Sequence, residues 1–339
     1  VARRLSGDVL LLDRHEVGAV QTSACGTPLW VPRALGVESS VRQVFDRLDL
    51  RTSSRTVAID LREEPFCTFD YGAFARGLLA QCPGTFQKAT VTGVNGGTVH
   101  TSDGTFEAGV VVDASGWRGV AMHGGEIGPG PAALSFGLET PTEVEGDRLI
   151  LILDDRVIER GLGWIFPVGR GSLVGLGSYV AASRLGPPLA AFLSRLGARG
   201  ASRHGTFFPN RLLRPTAGSV FAVGDAAGQC LPLTAEGIRP AIYFGDECGR
   251  LIAGVLRGER TLDAALHAYR RLVAGYRSAY RMLRMTQLLA VHAPNRLFAA
   301  IADAFTHPSL RSRWLPRYAR FGAKGFTHRR MEPVGPRSW

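Results

Sequence analysis

Residues 220–238 constrain the fold more tightly than any other stretch of this 339-residue chain. The apolar run Val220-Phe221-Ala222-Val223 leads into Gly224-Asp225-Ala226-Ala227-Gly228, then Pro232, and then Glu236-Gly237-Ile238 at the head of a helix-favouring segment. Two earlier runs have the same form. Val9-Leu10-Leu11-Leu12 closes on Asp13, and Val110-Val111-Val112 closes on Asp113-Ala114-Ser115-Gly116. Short continuous apolar runs that end in turn residues predict parallel strands covered on both faces. An acid at the end of such a strand accepts hydrogen bonds from ribose hydroxyls in dinucleotide folds, with a glycine-rich phosphate loop about 20 residues upstream. Counted back from Asp13, that loop falls before Val1. The chain is therefore expected to start inside the first helix of a Rossmann-like unit as a fragment, without the first strand and its GxGxxG.

The remaining segments divide around this frame. Phe74 to Cys82 reads as a helix stopped by Pro83-Gly84, and Val91 to Phe106 as an antiparallel ribbon with turns at Asn95-Gly96-Gly97 and Asp103-Gly104. Between residues 129 and 214 come short β-like runs, Leu149 to Leu153, Trp164 to Val168 and Leu173 to Tyr179, which predict a mostly antiparallel sheet. Beyond Gly254 the chain reads as helices, Leu266 to Ala290 being the longest, with Tyr269, Val273, Tyr276, Tyr280 and Leu283 on one stripe. The expected class is α/β: a Rossmann-like cofactor domain in three parts (1–45, 69–128 and 215–255), substrate-domain strands at 46–68 and 129–214, and a basic helical region at 256–339.

A strand ending in Gly-Asp, a small-residue turn, a proline and a Gly-Ile helix start fit a flavin part by part. Asp225 can accept from a ribityl hydroxyl, and Gly224 and Gly228 let backbone approach a pyrophosphate. The N–H groups and dipole of a helix opening at Gly237 and Ile238 favour negative charge on a reduced flavin. With these residues the chain resembles the para-hydroxybenzoate-hydroxylase-type FAD-dependent oxidoreductases. Within them it is most similar to the geranylgeranyl reductases, through Trp164-Ile165-Phe166-Pro167 followed, after seven residues, by Gly175-Leu176-Gly177. The reductase pattern has Tyr where this chain has Leu162. The halogenase element WxWxIP is met less well, since Leu162 and Phe166 both depart from it.

The resemblance implies FAD as cofactor, with NADPH or another electron donor. It implies cofactor contacts at Asp13, Cys25, Gly26, Asp113, Ala114, Gly116, Gly224, Asp225, Ala226, Gly228, Pro232, Gly237 and Ile238. It also places a substrate cavity at Trp164, Phe166, Pro167, Gly175 and Gly177, and Cys25 near the flavin ring as a catalytic candidate. Where the wider family has an Arg after the hairpin, this chain has Tyr71. The activity implied is reduction of alkene bonds in an isoprenoid lipid or prenyl diphosphate. The runner-up is hydroxylation of a small aromatic or polyketide-like molecule, and a flavin halogenase ranks third. A chain beginning at Val1 is expected to bind FAD weakly or not at all.

Charge and cysteine usage bound the partners. The formal charge of +11 comes from 40 basic and 29 acidic residues, and all but Lys88 and Lys324 of the basic ones are Arg. Residues 256–339 hold 16 basic and 4 acidic side chains, so the rest of the chain is close to neutral. That location argues against a nucleic-acid groove on the main body. It favours anionic headgroups or a diphosphate as what the basic end meets, each basic residue near a membrane contributing about 1 kcal/mol. A membrane-surface binder with a relict flavin fold is the non-enzyme alternative. Five widely spaced cysteines without CxxC, and no HxxxH or HxH pair, predict reduced thiols and no metal site. A cytoplasmic protein, peripheral at most to the inner face of the membrane, is the expectation.

Overall fold

The computed structural model describes residues 1–321 apart from 22, 125–127, 181–182, 293–296, 298–299, 301–302, 305–306 and 320. Lys324 and the rest of the basic end beyond Phe321 lie outside the described residues. The acid-closed runs form parallel pairs. Strand β1 (Leu10–Asp13) pairs with β7 (Thr85–Lys88), and β11 (Val111–Asp113) pairs with β18 (Val220–Ala222), which also carries β17 (Thr216–Ala217) antiparallel. The expected burial of β1 on both faces is corrected. It is bonded on one side only, Leu10 is 41% exposed, and its leucines border a large cavity.

A seven-stranded sheet forms the second layer. Its order is β16 (His204–Pro209), β12 (Leu134–Thr142), β15 (Ser172–Ser178), β14 (Gly161–Pro167), β13 (Leu149–Leu153), β4 (Arg47–Thr52) and β5 (Thr56–Asp60). All its pairs are antiparallel except β13 with β4. Side chains alternate across such a sheet, so each strand feeds two cores. One face packs Ile152, Ile165, Val174 and Leu176 against Leu189, Phe192 and Leu193 of helix α3 (Gly186–Arg195). The other faces the cavity. Two small antiparallel sheets complete the strands. One is β2 (Gly26–Pro28), β6 (Phe66–Phe69) and β3 (Val41–Phe45); the other is the ribbon β8 (Val91–Asn95), β9 (Thr98–Thr101) and β10 (Gly104–Glu107).

The helices hold the cofactor-type strands from outside. Helix α1 (Trp30–Ala34) is short. Helix α2 (Tyr71–Leu79) starts three residues earlier than the sequence predicts, because Asp70 caps it by accepting the Ala73 N–H at 2.6 Å. Helix α4 (Ile238–Leu256) buries Phe244, Cys248, Leu251 and Ile252 against Phe221 and against Leu266, Tyr269 and Val273 of α5 (Leu262–Ala274). The long helix expected over 266–290 is two. Gly275 ends α5, Tyr276 turns the chain, and α6 (Arg277–His292) follows. Gly275 itself keeps helical φ and ψ of −60° and −21°, and as a poor helix former it weakens the run at that point. A further helix, α7 (Pro308–Ala319), returns to the body.

Candidate functional site

The loop between β18 and α4 is held both by its own backbone hydrogen bonds and by polar groups of other elements. The Gly224 N–H donates to the Gln229 amide oxygen at 2.7 Å, and the Gln229 amide donates to the Tyr269 hydroxyl at 2.9 Å. Tyr269 in turn donates to the Ala222 carbonyl at 3.0 Å, Tyr280 to the Gln229 carbonyl at 2.6 Å, and Tyr179 to the Leu233 carbonyl at 2.6 Å. Three buried phenols thus satisfy carbonyls that the fold takes out of water, two in the loop and one at the end of β18. The loop is also strained. Leu233 and Ala235 have φ of 73° and 56°, and Cys25, which borders the same cavity, has φ of 55°. Non-glycine residues held in this region are characteristic of ligand sites.

The cavity is about 2270 Å³, above the 300–1,000 Å³ usual for one small ligand. Asp13, Cys25, Gly26, Asp113, Ala114, Gly116, Gly224, Asp225, Gly237 and Ile238, all singled out in the sequence, border it. Ala226, Gly228 and Pro232 do not. Gly228, at φ 65°, is needed by the chain itself, since a Cβ there would lie 2.1 Å from the Arg211 carbonyl oxygen. Asp113 is likewise used internally: it accepts from the Ser115 N–H and hydroxyl and from the N–H groups of Ala121 and Met122, and so shapes the turn around Ala114 and Gly116.

Asp225 differs from Asp113 in having no hydrogen-bond donor on its carboxylate among the described residues. Desolvation pushes its pKa up to about 6. The raised value means that the folded state holds a proton that the unfolded chain, near 3.8, has released, so stability falls as pH rises through this window. Asp225→Asn is therefore expected to remove about 2–3 kcal/mol of decline between roughly pH 4 and 6. Urea unfolding of both proteins across that range measures it, and parallel curves would show that Asp225 ionises freely. An unpartnered carboxylate in a cavity wall, beside a helix start that no side chain caps, fits a cofactor bearing hydroxyl and anionic groups. FAD is such a group.

Cys25 is wholly buried in the wall, its Sγ donating to the Ser23 carbonyl at 3.1 Å. Burial first, and then the carboxylates of Glu139 and Asp70, push its thiol pKa well up, so it stays protonated. The neighbouring Gly26 has to be glycine because a Cβ would meet the Phe166 ring at 2.8 Å. Trp164 and Phe166 share one face of β14 and border the cavity. Gly175 and Gly177 do not border it, because they lie beneath the Trp164 indole: a Cβ on Gly175 would sit 2.2 Å from the ring. Pro167 is also outside the wall, its carbonyl accepting the Thr68 hydroxyl at 2.6 Å.

Sequence reasoning missed two parts of this wall. One is aliphatic: Leu149, Leu151 and Leu153 on β13, Leu48 and Leu50 on β4, and Ile59 on β5 share the cavity face. The unbroken run Leu149–Leu153 is the signal, since a strand apolar at every position is covered on both faces. The other is polar. Glu139 accepts the Trp164 indole N–H at 3.0 Å and lies 2.6 Å from His204 Nε2. These residues meet across three strands, and no spacing along the chain announces it.

The C-terminal helices also close the cavity, through Leu283, Thr286 and Ala290 of α6 and through Tyr318 and Phe321. Several arginines of this basic region bind the protein itself. Arg270 donates to the Thr216 hydroxyl, Arg284 to Gln287, and Arg311 to the Ala58 carbonyl. Among the described residues no helix is long and apolar enough to cross a membrane.

No protein-family model matches the chain, and no curated protein matches it. Solved structures do. A geranylgeranyl bacteriochlorophyll reductase-like protein from Thermoplasma acidophilum superposes with a TM-score of 0.80 at 15% identity, over 90% of this chain and 87% of that one. A probable FAD-dependent monooxygenase from Pseudomonas aeruginosa gives 0.63 at 17%, over 87% and 92%. A myxobacterial chondrochloren halogenase, FAD-dependent, gives 0.66 at 15%, over 96% and 86%. The chain therefore has the fold of the para-hydroxybenzoate-hydroxylase-type FAD-dependent oxidoreductases, which reductase-like, monooxygenase and halogenase proteins share.

Proposed function

We propose that the chain is an FAD-dependent oxidoreductase that reduces an alkene bond in an apolar, isoprenoid-like substrate. The observation that carries the reading is the leucine and isoleucine face of β13, β4 and β5, continuous with Trp164 and Phe166 in one cavity. Each substrate CH₂ buried there contributes about 0.8 kcal/mol. The superposition on the reductase-like protein supports it. Bound FAD would supply the redox chemistry. Asp225 would accept from its hydroxyls, Gly237 and Ile238 would present backbone N–H groups to anionic edges, and Asp13 would accept from a ribose. Cys25 remains the proton-bearing candidate beside the ring. NADPH or another donor would reduce the flavin. Exposed Met282, Met285 and Leu289 on α6, next to Arg277 and Arg281, support contact with a membrane that stores such a substrate.

The test is to add reduced FAD and a polyprenyl lipid to the protein under anaerobic conditions and to follow flavin reoxidation and loss of the alkene together. Both are expected. A lipid that neither perturbs the flavin spectrum nor is reduced sinks the proposal. Rapid NADPH-dependent oxygen uptake stimulated by an aromatic compound would instead favour the hydroxylase, which the likeness to the monooxygenase and the aromatic middle of the wall support.

A further inference from the structure

We propose that Glu139 and His204 form a hydrogen-bonding subsite at the polar end of the cavity, which takes the hydroxyl group of an otherwise apolar substrate. This rests on the reading of the cavity as a site for an apolar molecule, and it adds the group by which that molecule is oriented. The inner face of the seven-stranded sheet is graded. From β5 to β14 it presents aliphatic and then aromatic side chains; on β12 and β16 it presents Gly137, Glu139, His204 and Thr206, together with Phe208.

The chemistry follows from the partners. The indole N–H of Trp164 can only donate, so Glu139 is its acceptor, and the second oxygen of Glu139 accepts from His204 Nε2. Glu139 is 3% exposed, so both its oxygens are committed to this pair and the group is locked in place. His204 is half-buried, on the edge strand β16, and borders the cavity. In the tautomer that carries its proton on Nε2, towards Glu139, the ring presents Nδ1 as an acceptor, and Nδ1 has no partner among the described residues. An acceptor at the end of an apolar trough is complemented by a donor, and a hydroxyl is the donor an apolar alcohol or phenol carries. A lone unpaired acceptor of this kind discriminates strongly against a ligand that cannot donate to it. Glu139 acts as a positioning residue: it fixes the tautomer and the plane of the ring.

The experiment compares farnesol with its methyl ether, which has the same apolar body but no donor, by calorimetric titration of the protein in excess FAD. Wild type is expected to bind the alcohol about tenfold more tightly. His204→Phe should bring the two affinities within twofold of each other while leaving the ether's own affinity within about threefold of wild type. Glu139→Gln should reduce the preference to about a third of its value, with His204 still present. The preference ratio is a readout that a general loosening of the sheet would not move selectively, and the second variant stands if the first does not fold. Equal binding of the two probes by wild type, or a preference that survives His204→Phe, overturns the subsite and leaves the apolar cavity standing. Failure of wild type to bind either probe overturns the cavity reading and the subsite with it.

Discussion

Replacing Arg239 by Ala is expected to lower the unfolding free energy by about 3–5 kcal/mol, the cost of leaving a buried charge without its partner. Arg239 has no exposed surface. Its guanidinium donates twice to Glu236, at 2.7 Å each, and to the Tyr318 carbonyl at 2.6 Å, and it stacks 4.9 Å from the Tyr318 ring and 5.9 Å from that of Phe321. The residue therefore ties three things together: the strained loop 231–237, the first turn of α4 and the C-terminal helix α7. Arg239→Ala leaves Glu236 in the wall of the cavity without its guanidinium partner. The double change Arg239→Met with Glu236→Leu removes both charges and is expected to cost less than the single one, because apolar replacement of a whole buried pair is often close to neutral. Urea unfolding followed by circular dichroism measures all three proteins. A single variant within about 1 kcal/mol of wild type would mean that water reaches Glu236 and that the pair does not hold the loop.

This pair also limits what the basic composition can mean. A count of arginines suggests a positive surface, yet Arg239, Arg270, Arg284 and Arg311 each donate to groups of the protein itself. Guanidinium groups suit this use because their planar fork satisfies carboxylates and carbonyls in fixed directions. The charge is a property of the chain's end, but part of it is spent in attaching that end to the cavity.

What the sequence made legible was whatever is encoded locally. The turn Gly224–Gly228, the acids closing β1 and β11, and the helix start at Gly237 follow from residue type and order within a few positions, and the structure brings Asp13, Asp113 and Asp225 to one cavity. The tyrosine stripe was visible as helical spacing, but not its purpose. Tyr269 and Tyr280 bury their rings, and their hydroxyls serve carbonyls at the end of β18 and in the loop; periodicity registers the first and is blind to the second. Glu139 and His204 were invisible because their meeting depends on the antiparallel register of β12 with β16, set by distant parts of the chain. The burial of β1 was overestimated for a similar reason. An apolar run records that a strand is withheld from water, not whether a protein layer or a cavity covers it.

The Trp-x-Phe-Pro and Gly-x-Gly elements, which the sequence presents as two motifs lining a cavity, are one packing unit in the structure, and Gly175→Ala is the substitution that separates these views. β14 and β15 pair so that Trp164 lies opposite Gly175, and the indole lies across the strand. A Cβ at Gly175 would stand 2.2 Å from Cζ2 and 2.4 Å from Cε2 of that ring, and 2.7 Å from the Cβ of Glu139 on the other side. A Cβ on Gly177 or on Gly137 would likewise meet the ring, at 3.4 and 3.8 Å. The ring cannot slide without losing its hydrogen bond to Glu139. Gly175→Ala is thus expected to destabilise the fold by about 3 kcal/mol, the upper end for overpacking, because both neighbours are buried and one is held by a hydrogen bond. If the clash is with the indole, shrinking it must relieve part of the cost. Trp164→Phe alone should cost about 1–2 kcal/mol, and the double variant should be at least about 1 kcal/mol more stable than the two single effects predict when added. Additive effects in urea unfolding would mean that the glycine serves the strand and not the tryptophan. A coupling of the expected sign would mean that the second motif exists to seat the first, and through it to hold Glu139 where His204 can use it.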